Sequence, residues 1–186
     1  EDKFGGLKLP KPNVLGQYQL ENISTAIATI RALNFDVNDE HVKKGIQKIN
    51  NIARLQEIKI GRLKSLVKNN LFLISGDHNV DGARVLNEYL KSLDCKKHII
   101  IGMMKNKEHE KYINYFKNIS SITTIDIPNQ PNAISGKKLK EKFKVMSNVQ
   151  YKDSIEEAIK SVPLNDGDLL LITGSLYLCS EVLNLN

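Results

Sequence analysis

Residues 75–79 crowd Ser75, Asp77, His78 and Asn79 around Gly76 in one short stretch. A hydroxyl, a carboxylate, an imidazole and an amide this close supply the donors, acceptors and titratable ring that a polar ligand needs. The stretch follows a continuous apolar run, Leu71 to Ile74. It leads into a segment with Val80, Ala83, Leu86, Leu90 and Leu93 along one helical face. Strand, polar turn and helix form the first half of a βαβ unit. The carboxyl end of a parallel strand is where open α/β sheets bind ligands. A plain strand-to-helix connection, with Asn79 or Asp77 as N-cap, fits the spacing equally well.

The elements that must position this turn follow from the periodicity. Residues 1–16 form an extended lead-in punctuated by Gly5, Gly6, Pro10, Pro12 and Gly16. A helix is expected from about Gln19 to Leu33, with Ile23, Ala26, Ile27, Ile30 and Leu33 as its stripe. A second starts at Asn38, a good N-cap, and buries Val42, Ile46 and Ile49. The character changes near Asn50. Residues 53–70 read as a β-hairpin or short meander turning at Gly61, with Lys68-Asn69-Asn70 as the next turn. Strands are then expected at Leu71–Ile74, His98–Met103, Ile122–Ile127, Val149–Lys152 and Leu169–Thr173. Helices alternate with them at about Val80–Leu93, Lys107–Asn118, Ser135–Phe143, Asp153–Val162 and Leu176–Leu183. Asp153 has Glu156 three residues on, the spacing of a capping box. Apolar strands joined by helices imply an α/β, Rossmann-like fold: a mainly parallel sheet covered by helices on both faces, preceded by a short helical segment.

The 186 residues suffice for one domain and a fraction. No apolar run reaches membrane-spanning length and no signal peptide is visible, so no membrane partner is expected. Glu1 opens the chain without a Met, which suggests a piece of something longer. Cys95 and Cys179 lack C-x-x-C spacing; they read as packing residues in a reducing cytoplasm. The net charge of +6 comes from scattered lysines without interleaved aromatics, so no nucleic-acid surface is expected. G-x-G-x-x-G, G-x-x-x-x-G-K-[ST] and G-x-S-x-G are absent. His41, His78, His98 and His109 lack paired metal-ligand spacing.

Five stretches in order resemble the folylpolyglutamate synthase/dihydrofolate synthase family, a cytoplasmic branch of the Mur ligase superfamily. LGQYQLENISTA (15–26) resembles its G-x-H-Q-x-x-N-A. ARLQ (53–56) resembles [GA]-R-L-Q, and residues 102–108 resemble G-M-x-x-x-K-D. SGDHNVDGA (75–83) resembles D-G-x-H-N-P-x-G-A. ITGSLYLCSEVL (172–183) resembles the terminal G-S-L-Y-L and its helix. The resemblance implies that residues 1–50 end a central ATPase domain and that residues 51–186 are the C-terminal Rossmann-like domain. The P-loop, most Mg2+ ligands and most of the folate site would then lie upstream, in an ATPase domain joined in cis.

The chemistry so implied is a glutamate ligation. ATP phosphorylates a carboxylate of dihydropteroate or folate, and the amine of L-glutamate attacks the acyl phosphate. Concentrated negative charge is the obstacle, and preorganised cations are the remedy. By the match, Asn22 contacts the nucleotide, its alternative being a helix N-cap. Arg54 reaches ATP with a guanidinium fork suited to phosphate; Arg62 in Gly61-Arg62-Leu63 is a decoy for the same motif. His78 and Asn79 serve the phosphate and amino-acid end of the site. Ser175 lines the crevice or caps a helix. Three departures stand out: Tyr18 replaces the family's His, Val80 its Pro, and Ser75 the Asp that binds the ATP ribose, with Asp77 two residues on. A hydroxyl is a weaker partner for a ribose diol than a carboxylate. ATP binding is therefore expected to be weakened, or partly rescued by Asp77. The expected whole is a monomeric ligase, with this fragment inactive alone. A peptidoglycan-type Mur ligase and a non-catalytic nucleotide- or amino-acid-binding module stay open as other readings.

Overall fold

Six strands of the computed structural model lie in one sheet in the order β1-β2-β6-β3-β4-β5. Residues 5–33, 35–116, 118–143 and 148–186 are described. The chain divides after Ile52 into two compact units.

The first unit holds α1 (Gln17–Ala32) and α2 (Asp39–Gln47). Its small core is Ile27, Val42 and Ile46, with Leu7, Ile23 and Ile49 packed against it. The expected α1 stripe is therefore only partly used. Ile27 is buried, Ile23 and Ile30 are half-buried, and Ala26 and Leu33 are exposed. Asn38 caps α2 as expected: its Oδ1 accepts from His41 N at 3.0 Å, and the Asn38 N–H returns to His41 Nδ1 at 3.4 Å. The expected lead-in begins in residues 1–4, which lie outside the described residues; from 5 to 16 it contains no helix or ladder strand.

The second unit carries the sheet. The strands are β1 (Gln56–Glu57), β2 (Leu71–Ser75), β3 (Lys97–Ile101), β4 (Ser121–Ile125), β5 (Val149–Lys152) and β6 (Leu169–Thr173). All pairings are parallel except β1 with β2. The chain steps one way through β2, β3, β4 and β5, then returns to insert β6 between β2 and β3. Right-handed crossovers therefore place α4 (Val80–Lys91), α5 (His109–Ile113) and α6 (Gly136–Lys142) on one face. The returning α7 (Ile155–Ser161) lies on the other, with α3 (Arg62–Val67) and α8 (Leu176–Leu185). Phe72–Ile74, Ile99–Ile101 and Leu169–Ile172 are essentially without exposure, as strands covered on both faces require. This is the mainly parallel, doubly covered α/β fold expected from the alternation.

Several boundaries differ from the periodicity. The expected hairpin over 53–70 is a two-residue edge strand followed by α3. Leu63, Leu66 and Val67 have helical spacing, and burial of Leu63 and Val67 outweighs the local alternation. The α3 amino end is capped from far along the chain. Asn186 Oδ1 accepts from both Leu63 N and Lys64 N at 3.1 Å. Gly61, at φ +116°, leaves room for that side chain; a Cβ there would come within 2.2 Å of Asn186 Nδ2. The cap of α7 is Ser154, whose Oγ accepts from Glu157 N at 3.2 Å, one residue beyond the expected Asp153. Asp153 instead accepts from the Tyr151 hydroxyl at 2.7 Å. The helix expected over 107–118 includes residue 117, which lies outside the described residues. Its regular part ends at Ile113, and Phe116 turns back onto Tyr112, ring centroids 5.3 Å apart.

A buried polar group fastens the amino edge of the sheet. His98 Nδ1 lies 2.7 Å from Ser121 Oγ, and its Nε2 lies 3.2 Å from Asp168 Oδ2, which also accepts from Asn165 N at 2.8 Å. With Nε2–H given to Asp168, Nδ1 is left to accept from Ser121. Burial by itself would raise the Asp168 carboxyl. The Asn165 N–H and His98 outweigh it and hold the group below its ordinary value.

Two stability predictions follow from this packing. Asp168→Asn is expected to cost about 1–3 kcal/mol at neutral pH, the range for disturbing a buried hydrogen-bonded polar group. Because Asp168 titrates lower folded than unfolded, its contribution is full above about pH 4 and fades as pH falls through the folded value. Urea unfolding near pH 7 and near pH 3 measures this, and a gap that does not narrow in acid contradicts it. Asn186→Ala is expected to lose about 1 kcal/mol through the α3 cap. Gly61→Ala is expected to lose more, because a left-handed φ adds to the steric clash. Equal unfolding midpoints for the two variants would refute the tertiary cap.

Candidate functional site

Register brings three strand ends level: Ser75 and Ile101 both pair with Thr173. The connections beyond β2 and β6 leave toward opposite faces, which makes these strand ends the switch point where open α/β sheets bind ligands. The turn at 75–79 sits there. Gly76 donates its N–H to Ala53 O at 2.7 Å. A Cβ at Gly76 would lie 2.2 Å from Leu176 Cδ2 and 3.1 Å from its Cα, so α8 approaches this glycine closely.

Within the turn the polar groups are interlocked. Ser75 Oγ donates to Asp77 Oδ2 at 2.6 Å and accepts from Leu55 N at 3.0 Å. Ser75 is wholly buried, and both its hydrogen bonds run to the protein, to Asp77 and to Leu55. Asp77 Oδ1 faces Arg54 Nη1 at 3.7 Å, while the Arg54 side chain is 40% exposed. Beyond ordinary hydrogen-bond length, this pairing leaves most guanidinium N–H groups available. Burial raises the Asp77 carboxyl above its ordinary value. The Ser75 hydrogen bond and the charges of Arg54 and His78 pull the other way and only partly offset it.

His78 Nδ1 lies 3.1 Å from Gly76 O; with that nitrogen donating, Nε2 is the acceptor. Asn79 is the α4 N-cap, its Oδ1 accepting from Gly82 N at 2.8 Å. The sequence left open whether the turn served a ligand or capped a helix; Asn79 caps, and Asp77 does not.

Two components lay outside the sequence reading. The first is Tyr112 of α5. Its buried hydroxyl donates to Asp77 O at 2.9 Å and lies 3.2 Å from Thr173 Oγ1, tying the turn to the end of β6. Burial pushes this phenol up, so it stays a donor. Its spacing to Phe116 marks only an apolar helix face, which carries no sign of the contact. The second is the backbone around Arg54. Ala53 and Leu55 are both left-handed, at φ 55° and 52°, and both buried. Each such residue costs about 1–2 kcal/mol. Hydrogen bonds from Gly76 N to Ala53 O, Leu55 N to Ser75 Oγ, and Ala53 N to Gln56 Oε1 at 2.9 Å together return a similar amount at about 1 kcal/mol each.

The remaining candidates lie elsewhere. Ser175 is 2% exposed and caps α8, its Oγ accepting from Tyr177 N at 3.2 Å. Asn22 belongs to the first unit; it is exposed inside α1, five residues past the start of the helix, so its alternative reading as an N-cap is corrected. Arg62 gives its guanidinium to Glu156 Oε2 at 2.9 Å and to Leu185 O at 3.1 Å. Among the described residues no group of three or more His, Cys, Asp or Glu side chains could hold a metal ion, and no helix is long and apolar enough to cross a membrane.

Known proteins share this architecture. A folylpolyglutamate synthase from Lacticaseibacillus casei is 26% identical over 190 residues, covering 98% of this chain and 41% of that protein. The structure of E. coli FolC in complex with ADP superposes with a TM-score of 0.81 at 22% identity, covering 99% of this chain and 42% of that one. A bifunctional folylpolyglutamate synthase/dihydrofolate synthase from Yersinia pestis, complexed with AMPPNP and Mn ion, gives a TM-score of 0.76 at 20% identity, covering 95% and 40%. At such identities the structural likeness establishes the fold. The chain thus spans about two-fifths of the length of these relatives. The family model for the Mur ligase, glutamate ligase domain, matches residues 61–176, more than half of the chain and most of the sheet unit, and the chain therefore belongs to the Mur ligase family.

Proposed function

We propose that this chain is the C-terminal part of an ATP-dependent ligase that adds L-glutamate to dihydropteroate or a folate through an acyl phosphate. Residues 51–186 supply the C-terminal Rossmann-like domain, and residues 1–50 the end of the central ATPase domain. The observation that carries the reading is the Arg54–Asp77–His78 cluster at the sheet's switch-point crevice, in a family of glutamate ligases. The names of the relatives, with ADP bound in one structure and AMPPNP and Mn ion in another, support nucleotide and divalent metal use.

The residue chemistry fits that task. Arg54 offers an exposed, bidentate cation to phosphate oxygens. Asp77, its Oδ2 held by Ser75, presents Oδ1 beside the guanidinium as the acceptor for a ribose hydroxyl. Ser75 thus acts through Asp77. The free Nε2 of His78 and the exposed amide of Asn79 serve the phosphate and amino-acid end. Asn22, exposed in the first unit, is assigned to the nucleotide by its motif match alone. Ser175 shapes the β6 side by holding the start of α8. Mg2+, when bound with the nucleotide, neutralises phosphate charge; its ligands are assigned mainly to an upstream domain. The protein is read as a cytoplasmic monomer acting on small molecules.

In the full-length ligase, Arg54→Ala is expected to raise the ATP KM about 10- to 100-fold, equivalent to roughly 1.4–2.8 kcal/mol of lost binding. Asp77→Asn is expected to raise the KM for ATP but hardly that for 2′-deoxy-ATP. Its melting temperature stays level or rises, since a raised carboxyl pKa marks an ionised form that burial disfavours. The same protonation weakens ATP binding as pH falls, beginning above the ordinary carboxylate range. Steady-state kinetics with both nucleotides checks this, and equal losses with the two would remove Asp77 from the ribose. The 186 residues alone are expected to show no magnesium-dependent ligase turnover, and measurable turnover would overturn the assignment of the upstream parts.

A further inference from the structure

We infer that Gln56 is a positioning residue that presents Arg54 to the crevice by holding a strained loop closed. The inference rests on the reading of Arg54 given above. Three hydrogen bonds close residues 53–56. Two run outward to the β2 turn, from Gly76 N to Ala53 O and from Leu55 N to Ser75 Oγ. The third is internal, from Ala53 N to Gln56 Oε1, and it spans Arg54 and Leu55. Gln56 can hold this post because its own backbone is fixed: it pairs with Ile74 of β2 in the antiparallel edge ladder.

The loop needs such a clamp. Ala53 and Leu55 are both left-handed L-residues on either side of Arg54, so the relaxed backbone lies elsewhere. The strain of the two left-handed residues is of the same order as the three hydrogen bonds, so removing the Gln56 acceptor weakens the hold on Arg54 and leaves the buried Ala53 N–H without its partner. While the clamp holds, the guanidinium is already beside Asp77, and phosphate binding carries little ordering cost. Alanine rather than glycine at 53 fits the same role. Glycine would relieve the strain but let the loop sample other states.

The test uses the full-length ligase with Gln56→Leu, Gln56→Glu, Ala53→Gly and Arg54→Ala. Gln56→Leu removes the acceptor at similar volume and is expected to raise the ATP KM about three- to tenfold, with the KM for L-glutamate unchanged. Gln56→Glu keeps an acceptor at the same reach and is expected to stay within about twofold of the parent. Ala53→Gly is expected to melt no lower than the parent, yet to raise the ATP KM severalfold. A merely structural clamp would instead lower the melting temperature or move both substrates together. Gln56→Leu with an unchanged ATP KM overturns the inference if Arg54→Ala still raises it. If Arg54→Ala has no effect either, the assignment of Arg54 itself falls. Equal impairment by Gln56→Leu and Gln56→Glu also overturns it.

Discussion

The insertion of β6 between β2 and β3 is the constraint on which the rest of this structure depends. Ser75 and Ile101 flank Thr173 in register, so three strand ends finish at one level. The connections from β2 and β6 leave to opposite faces, and the resulting crevice is what a parallel sheet offers a ligand. The same insertion places Tyr112, on α5, where its hydroxyl meets both Asp77 O and Thr173 Oγ1. Without that topology the polar turn at 75–79 would be an ordinary helix cap.

The two edges of the sheet do different work. At the amino edge, His98, Ser121 and Asp168 are buried and hydrogen-bonded to one another, and Asp168 is held below its ordinary pKa. Asn186 closes the end of α3 nearby in the same unit. These contacts favour folding. At the carboxyl edge the balance is reversed. Asp77 is buried and raised above its ordinary pKa, and Ala53 and Leu55 hold strained backbone. Local cost concentrated at the carboxyl edge is what the proposed site, held ready for its ligand, requires.

Arg54 shows how that preparation works at the level of bonds. Its side chain is 40% exposed and faces the Asp77 carboxylate, which Ser75 holds in place. Ser75 Oγ holds Asp77 Oδ2, which leaves Oδ1 of the same carboxylate facing Arg54. In a chain that spans about two-fifths of its relatives, this cluster lies wholly within the sheet unit.

Much of this was written in local sequence. Leu71–Ile74, Leu169–Thr173 and the stripe of α4 have periodicities set by burial, and the parallel sheet follows from the alternation of such strands with helices. Asn38 and Asn79 were legible as caps because capping is decided within three residues. The hairpin expected over 53–70 became α3 because burial of Leu63 and Val67, and a cap from Asn186, are contacts over long range. Likewise Asp153 yielded its cap to Ser154 because Tyr151 engages its carboxylate. Residue types nominated Asp77 and His78, and the resemblance of ARLQ to a family motif nominated Arg54. Only the tertiary structure decided that Ser75 is buried, that Tyr112 ties the turn to β6, and that left-handed residues aim Arg54, since each depends on which strand ends meet and no local pattern encodes that meeting.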